Sequence, residues 1–218
     1  MPEKLSDLTE LAATPASGDQ LYIQDVSEAT PANQSKRITY ANLIPEAGTP
    51  VETVLSDTTL SSDGTFDISS ISGAYTHLKL YLHLRSDYAT GSPVEDGFLL
   101  TLNNDTTGSN YLYSGHYAGS AGHGAEGGNN RKVGFIPANS SPANHFANYQ
   151  VLIPLYAGGH FKNVISWGNS SESASVNFVC QFSYNWFSTS AVTRVTVAPQ
   201  NGANFKSGSR LTIIGVAI

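Results

Sequence analysis

The sequence predicts an all-β protein, an antiparallel β-sandwich wired as a jelly roll, with a small extended N-terminal arm. Three observations predict it. Apolar residues recur with a period of two, most plainly at Val176, Phe178, Cys180, Phe182, Tyr184 and Trp186, which is the spacing of a strand with one buried face. No stretch carries a convincing long helical period. Charged residues are only 13% of the chain, about half the usual ~25% share, and Ser, Thr, Asn and Gly stand in their place beside 11 Tyr and 9 Phe. Such a composition suits sheets joined by loops better than helices.

The arm is read in residues 1–44. Leu5, Leu8 and Leu11 are spaced for a turn or two of helix, and 14–19, with Pro15 and Gly18, breaks it. Residues 21–26, containing Tyr22 and Ile23, alternate as a short strand. Residues 36–44, containing Ile38 and Tyr40, form a second. Two short strands and a helical turn bury too little apolar area to fold alone. This arm is therefore expected to lean on the main domain, on copies of itself or on another protein. Residues 45–50, with Pro45, Gly48 and Pro50, read as a linker.

From residue 51 the β pattern is continuous to 218. Strands are expected at 51–60, 75–86, 97–103, 132–136, 148–155, 161–168, 176–186, 192–197 and 211–218, with a short aromatic one at 111–113. In 75–86 the leucines 78, 80, 82 and 84 take one face, and His77, Lys79, Tyr81, His83 and Arg85 the other. The closing run 211–218 is apolar at both parities, which predicts a strand inside a sheet with both faces covered. Seven of the 20 glycines fall in 108–128, which predicts a long mobile loop or a set of turns.

Charge and cysteine usage exclude several classes. The net charge of -6 and pI near 5.4 argue against a nucleic-acid footprint, which needs a basic face. No apolar run approaches the length of a membrane span, so no membrane insertion is expected. The opening residues 1–7 lack the apolar core of a secretory signal, which predicts synthesis in a cytoplasm. A single cysteine, Cys180, cannot form an internal bridge and reads as a small buried hydrophobe.

Candidate chemistry is sparse. His77 and His83 share a strand face but lie ~20 Å apart, too far to share a metal. His116, His123 and Glu126 are close in sequence, yet their spacing matches no strong zinc motif. No Gly-x-Ser-x-Gly elbow is present, and Gly115-His-Tyr-Ala-Gly119 keeps that frame without its serine, Tyr117 standing at its place. No cofactor and no enzymatic activity are expected. Tyr111, Tyr113, Tyr117, Tyr149, Tyr156, Trp167 and Trp186 raise a glycan-binding reading, since aromatic rings stack on sugar faces while Asn, Asp and His bond hydroxyls. The mixture in residues 103–130 makes Tyr111, Tyr113, His116, Tyr117 and His123 the candidate glycan or partner contacts. The ordinary alternative is that most of these rings fill core or subunit interfaces.

Two stretches carry a resemblance. Residues 4–26, with a leucine-containing start, a Pro15-Ala-Ser-Gly-Asp19 turn and an aliphatic strand ending in Asp25-Val26, are followed by Lys36-Arg-Ile-Thr39 running into Asn42-Leu43. Together they resemble the N-terminal segment of many tailed-bacteriophage structural proteins. Residues 66–84, Asn110-Tyr111 and 205–215 are similar to a β-sandwich module of phage virion proteins. The resemblance implies a non-enzymatic virion protein synthesised in the host cytoplasm. It would be an oligomeric component, a homotrimer, of a fibre, spike or capsid decoration. Its arm, with Leu5, Leu8, Leu11, Tyr22, Ile23, Ile38 and Tyr40, would attach it to capsid or tail proteins. The alternative is a receptor module for host surface glycan, and a more distant one a hydrolase of host polysaccharide.

Overall fold

The computed structural model describes residues 51–89, 95–120 and 122–218, together with the backbone of 20–24 and 35–39. The chain divides into two units, Met1–Thr49 and Pro50–Ile218. In the first, β1 (Gln20–Gln24) pairs antiparallel with β2 (Ser35–Thr39), so that Leu21 lies opposite Ile38, Tyr22 opposite Arg37 and Ile23 opposite Lys36. Leu5, Leu8, Leu11, Tyr40 and the linker 45–50 lie outside the described residues.

The second unit is an antiparallel β-sandwich. Its strands are β3 (Val51–Thr59), β4 (Phe66–Ile68), β5 (His77–Leu84), β6 (Glu95–Leu102), β7 (Tyr111–Gly119), β8 (Gly122–Gly128), β9 (Lys132–Pro137), β10 (Ala147–Pro154), β11 (Lys162–Ser171), β12 (Asn177–Trp186), β13 (Val195–Pro199) and β14 (Arg210–Ala217). One sheet has eight strands in the order β3-β14-β5-β10-β11-β12-β7-β8, and the other has four, β4-β13-β6-β9. Numbered along the chain, the eight strands β3, β4, β5, β6, β9, β10, β13 and β14 take the orders 1-8-3-6 and 2-7-4-5. That is the wiring of a jelly roll, two interlocked Greek keys. The hairpin β7–β8 and the pair β11–β12 are insertions into it, and both extend the larger sheet beyond β10.

The core forms where the alternating strands face each other. From β5 come Leu78, Leu80, Leu82 and Leu84, from β10 Val151 and Ile153, and from β12 Phe178, Cys180, Phe182, Tyr184 and Trp186, all buried. They meet Phe98, Leu100 and Leu102 of β6 and Val195 and Val197 of β13. Two tyrosines tie the layers with hydrogen bonds as well as area. Tyr184 donates its hydroxyl to the Leu100 carbonyl at 2.9 Å. Tyr149 donates to the Phe135 carbonyl at 2.7 Å and accepts the Phe135 N–H at 3.0 Å. Its ring fits only because Gly134 and Gly168 flank it: a Cβ on either would lie within 2.6 Å of a ring atom.

Three expectations need correction. Residues 108–128 are not a loop. They hold a short 3₁₀ turn at Gly108–Asn110 and then the hairpin β7–β8, continuous with the large sheet. The glycines serve the tyrosines here. Tyr117 lies over Gly124, where a Cβ would come within 2.6 Å of its hydroxyl, and Tyr113 lies over Gly128. The closing strand β14 is interior to its sheet, between β3 and β5, but only one of its faces is covered. Leu211, Ile213 and Gly215 alternate inward while Thr212 and Ile214 stay half-exposed; the bulge between Ile213 and Ile214 lies on the partner strand β3, where Leu55 is the extra residue, and the register of β14 with β5 runs on unbroken. Arg85, assigned to the solvent face, is only 7% exposed. Past the end of β5 its guanidinium donates to the carbonyls of Pro142 at 2.6 Å, Ser141 at 2.6 Å and Asn139 at 3.2 Å, which pins the loop before β10.

Candidate ligand-binding face

The four-stranded sheet covers one face of the eight-stranded sheet. The other face carries the outward-pointing half of each alternating strand. On most sheets that face is rich in Lys and Glu; here the shortage of charge leaves amides, hydroxyls and rings.

Strand pairing fixes which of these residues stand side by side. Thr212 lies opposite Tyr81, Tyr81 opposite Gln150, Gln150 opposite Trp167, Trp167 opposite Gln181, Gln181 opposite His116, and His116 opposite Ala125. One row therefore crosses the sheet from β14 to β8, with rings at alternate strands: Tyr81, Trp167, His116. Neighbouring strands are ~4.8 Å apart, so Tyr81 and Trp167 are separated by ~10 Å, as are Trp167 and His116. The Tyr81 and Trp167 side chains remain 42% and 40% exposed, although each sits mid-sheet over a filled core.

Two depressions follow this row. A groove of about 600 Å³ is lined by Tyr81, His83, Asn148, Gln150, Trp167, Arg210 and Thr212. A smaller one of about 120 Å³ lies between Ser114, His116, Gln181 and Ser183. The larger groove is preorganised by local contacts. The His83 ring stacks on Phe146, with centroids 4.4 Å apart and planes 12° from parallel, and its Nδ1 meets Asn148 Oδ1 at 2.8 Å. Gln150 Nε2 donates to the Tyr81 hydroxyl at 3.4 Å.

Charges at the border of this face are neutralised within the sheet. Arg210 donates from Nε to Asp57 Oδ1 at 2.8 Å and from Nη2 to Oδ2 at 2.5 Å. These bonds, and one from Thr212, hold the Asp57 carboxyl below its usual range and raise the guanidinium's. Lys79 is paired with Glu52, which raises its ammonium pKa. Both carboxylates come from β3, the strand beside β14 at the sheet edge.

The residues expected to form a site in 103–130 separate into three groups. Tyr111 is fully buried, stacks against Trp186 and donates its hydroxyl to the Asp105 carbonyl at 2.8 Å; burial pushes its pKa up to about 12. It has no ring face for a ligand. Tyr113 and Tyr117 point inward too: Tyr117 makes edge contacts with Phe135 and Phe178 at 5.1 and 5.6 Å, and Tyr113 packs against the core. His116 and His123 point outward and are exposed, and His116 joins the row. Glu126 takes the opposite face of β8 from His123 and pairs with Lys132 at 2.6 Å, so the three potential ligands do not converge. Among the described residues no group of three or more His, Cys, Asp or Glu side chains is placed to hold a metal. Cys180 is buried and unbridged, and burial raises its thiol pKa. Among the other aromatics, Tyr149, Tyr156 and Trp186 are core, and only Trp167 faces outward.

Sequence reasoning placed Tyr81 on an outward face and named Trp167, but had no reason to join them. They are 86 positions apart, and only the order β5-β10-β11 makes them neighbours. No protein-family model and no curated protein matches this chain.

Proposed function

We propose that the Pro50–Ile218 unit is a non-catalytic glycan-binding module whose ligand lies on the outer face of the eight-stranded sheet. One observation carries this reading: Tyr81 and Trp167 present exposed rings ~10 Å apart with amides and hydroxyls between and beside them, over a rigid core. Sugar rings offer apolar C–H faces for such rings and equatorial hydroxyls for such amides. The carboxylates nearest the groove, Asp57 and Glu52, are tied to Arg210 and Lys79, which supports binding rather than acid–base cleavage. We place the module in a bacteriophage virion, as part of an adsorption apparatus with residues 1–44 as its attachment arm; the support is the sequence resemblance of 4–26 and 36–44.

The test is binding of the full chain to a glycan array and to insoluble polysaccharides, compared with Trp167→Ala and Tyr81→Ala. Each exposed ring is worth about 1–2 kcal/mol of stacking, so each variant should bind about tenfold more weakly with an unchanged melting temperature. No binding by the parent chain, or binding unaffected by both variants, refutes the reading.

A second reading in the same setting is a structural fibre or capsid-decoration role without a ligand. It is favoured by the edge strand β3, where Val51 and Val54 are each 59% exposed, a surface suited to burial against another copy in a homotrimer. Sedimentation at micromolar concentration tests it: a monomer counts against this role and leaves the glycan reading untouched.

A further inference from the structure

The proposed glycan site is longer than its main groove, and its geometry selects among glycans. We infer that the ligand is the interior of a neutral, extended, β-linked polysaccharide lying across the strands, from Tyr81 past Trp167 to a second subsite at His116. This rests on the glycan-binding reading above and adds the substrate class, the direction and the number of subsites.

The direction follows from the row. Strands in a twisted sheet rotate about the axis that crosses them, so a transverse row stays nearly straight while lines along the strands wind away. A straight ligand can therefore keep contact with Tyr81, Gln150, Trp167, Gln181 and His116 together only by running along that row. The four strand steps from Tyr81 to His116 span about 20 Å, room for about four sugar units if each takes roughly one step. The two depressions both lie on this line: Trp167 lines the larger and Gln181, its partner on the next strand, lines the smaller. A β-linked chain with equatorial bonds is extended enough to follow it; a coiled α-linked chain is not.

Neutrality follows from the charges. Arg210 and Lys79, the cations nearest the groove, are already satisfied by Asp57 and Glu52. An anionic sugar would have to break an ion pair to gain one. Binding within a chain, rather than at its end, follows from the open end of the row at β8, past which the ligand can continue. Beyond His116 stands Ala125, and neither it nor the neighbouring Ala118 and Gly127 raises a wall.

The experiment is calorimetric titration of the full chain with neutral β-1,4-linked glucose and N-acetylglucosamine oligomers of two, four and six units, and with sulfated or uronate-containing oligomers of matched length. Affinity should rise about tenfold from two units to four and little from four to six. His116→Ala combined with Gln181→Ala should bring the four-unit ligand down to two-unit affinity and leave the two-unit ligand unchanged. Trp167→Ala should weaken all lengths. Both substitutions are on the exposed face, and a thermal melt confirms that the variants fold. Affinity independent of length, tighter binding of the anionic series, or indifference to the His116/Gln181 pair overturns the inference while Trp167-dependent binding keeps the broader reading. If no oligomer of either series binds and the array is blank, both fall.

Discussion

Glu172 offers a stability test that needs no ligand. It lies just past β11, is fully buried, and its Oε1 accepts the Ser170 hydroxyl at 3.0 Å. Burial first, and the neighbouring Glu95 carboxyl second, push its pKa from 4.5 up to about 8. The folded protein therefore holds a proton at neutral pH that the unfolded chain has released. Stability from this group is complete below about pH 4.5, falls as pH rises, and is lost above about pH 8. At ~1.4 kcal/mol per pKa unit the shift sets a ceiling of ~5 kcal/mol, and relaxation of the buried site brings the expected loss to about 2–3 kcal/mol. Glu172→Gln replaces the protonated acid with a neutral group of the same shape. Urea unfolding at about pH 5 should find parent and variant alike. At about pH 9 the variant should be more stable by those 2–3 kcal/mol. The carboxylates whose pKa values are lowered, among them Asp57, Asp63, Asp67 and Asp105, titrate below this window and do not confuse it. A parent whose stability is flat from pH 5 to 9, or a variant with the same slope as the parent, refutes the assignment.

Two further substitutions test the core in opposite directions. The Ser166 hydroxyl is fully buried and has no hydrogen-bond partner among the described residues, so Ser166→Ala should stabilise the fold by about 1 kcal/mol and raise Tm by about 3 °C, read by calorimetry. Tyr149→Phe removes the hydroxyl that satisfies both the N–H and the carbonyl of Phe135; leaving those groups unpaired should cost about 2 kcal/mol in urea unfolding, with no change if water reaches them instead.

Much of the sandwich could be read from alternation, because each strand's burial is a local pattern. From Phe178 to Trp186 every second residue is buried, as its period of two predicts, and the four leucines of β5 behave likewise. What escaped was non-local. The glycines of β8 read as a loop because the rings that cover them, Tyr113 and Tyr117, belong to the preceding strand and count for nothing in a propensity sum. Both-face covering was expected of β14 from its apolar content, but Ile214 faces outward beside Lys79 and only Leu211 and Ile213 reach the core directly. Arg85 kept the parity of a solvent-facing residue; the strand ends before it, so parity no longer governs where it points.

The candidate face was hidden for the same reason, and the way the fold assembles it bears on its use. In the basic jelly-roll wiring the large sheet would stop at β10, with Tyr81 and Gln150 but nothing further. Trp167, Gln181 and His116 all stand on the inserted strands β11, β12 and β7. The insertions thus convert a short sheet face into a row about 20 Å long. They are not loosely attached. The inner faces of β12 and β7 bury Phe182, Tyr184 and Tyr111, and Tyr149 on β10 reaches across to Phe135 on β9. Every ring in the row is therefore backed by packed side chains of its own or the adjoining strands. A ligand landing there need not order the backbone that receives it, so little of its contact energy is spent on entropy. Under the proposed glycan reading, such a face would offer modest contacts per copy, presented rigidly, which would be multiplied wherever several copies stood together.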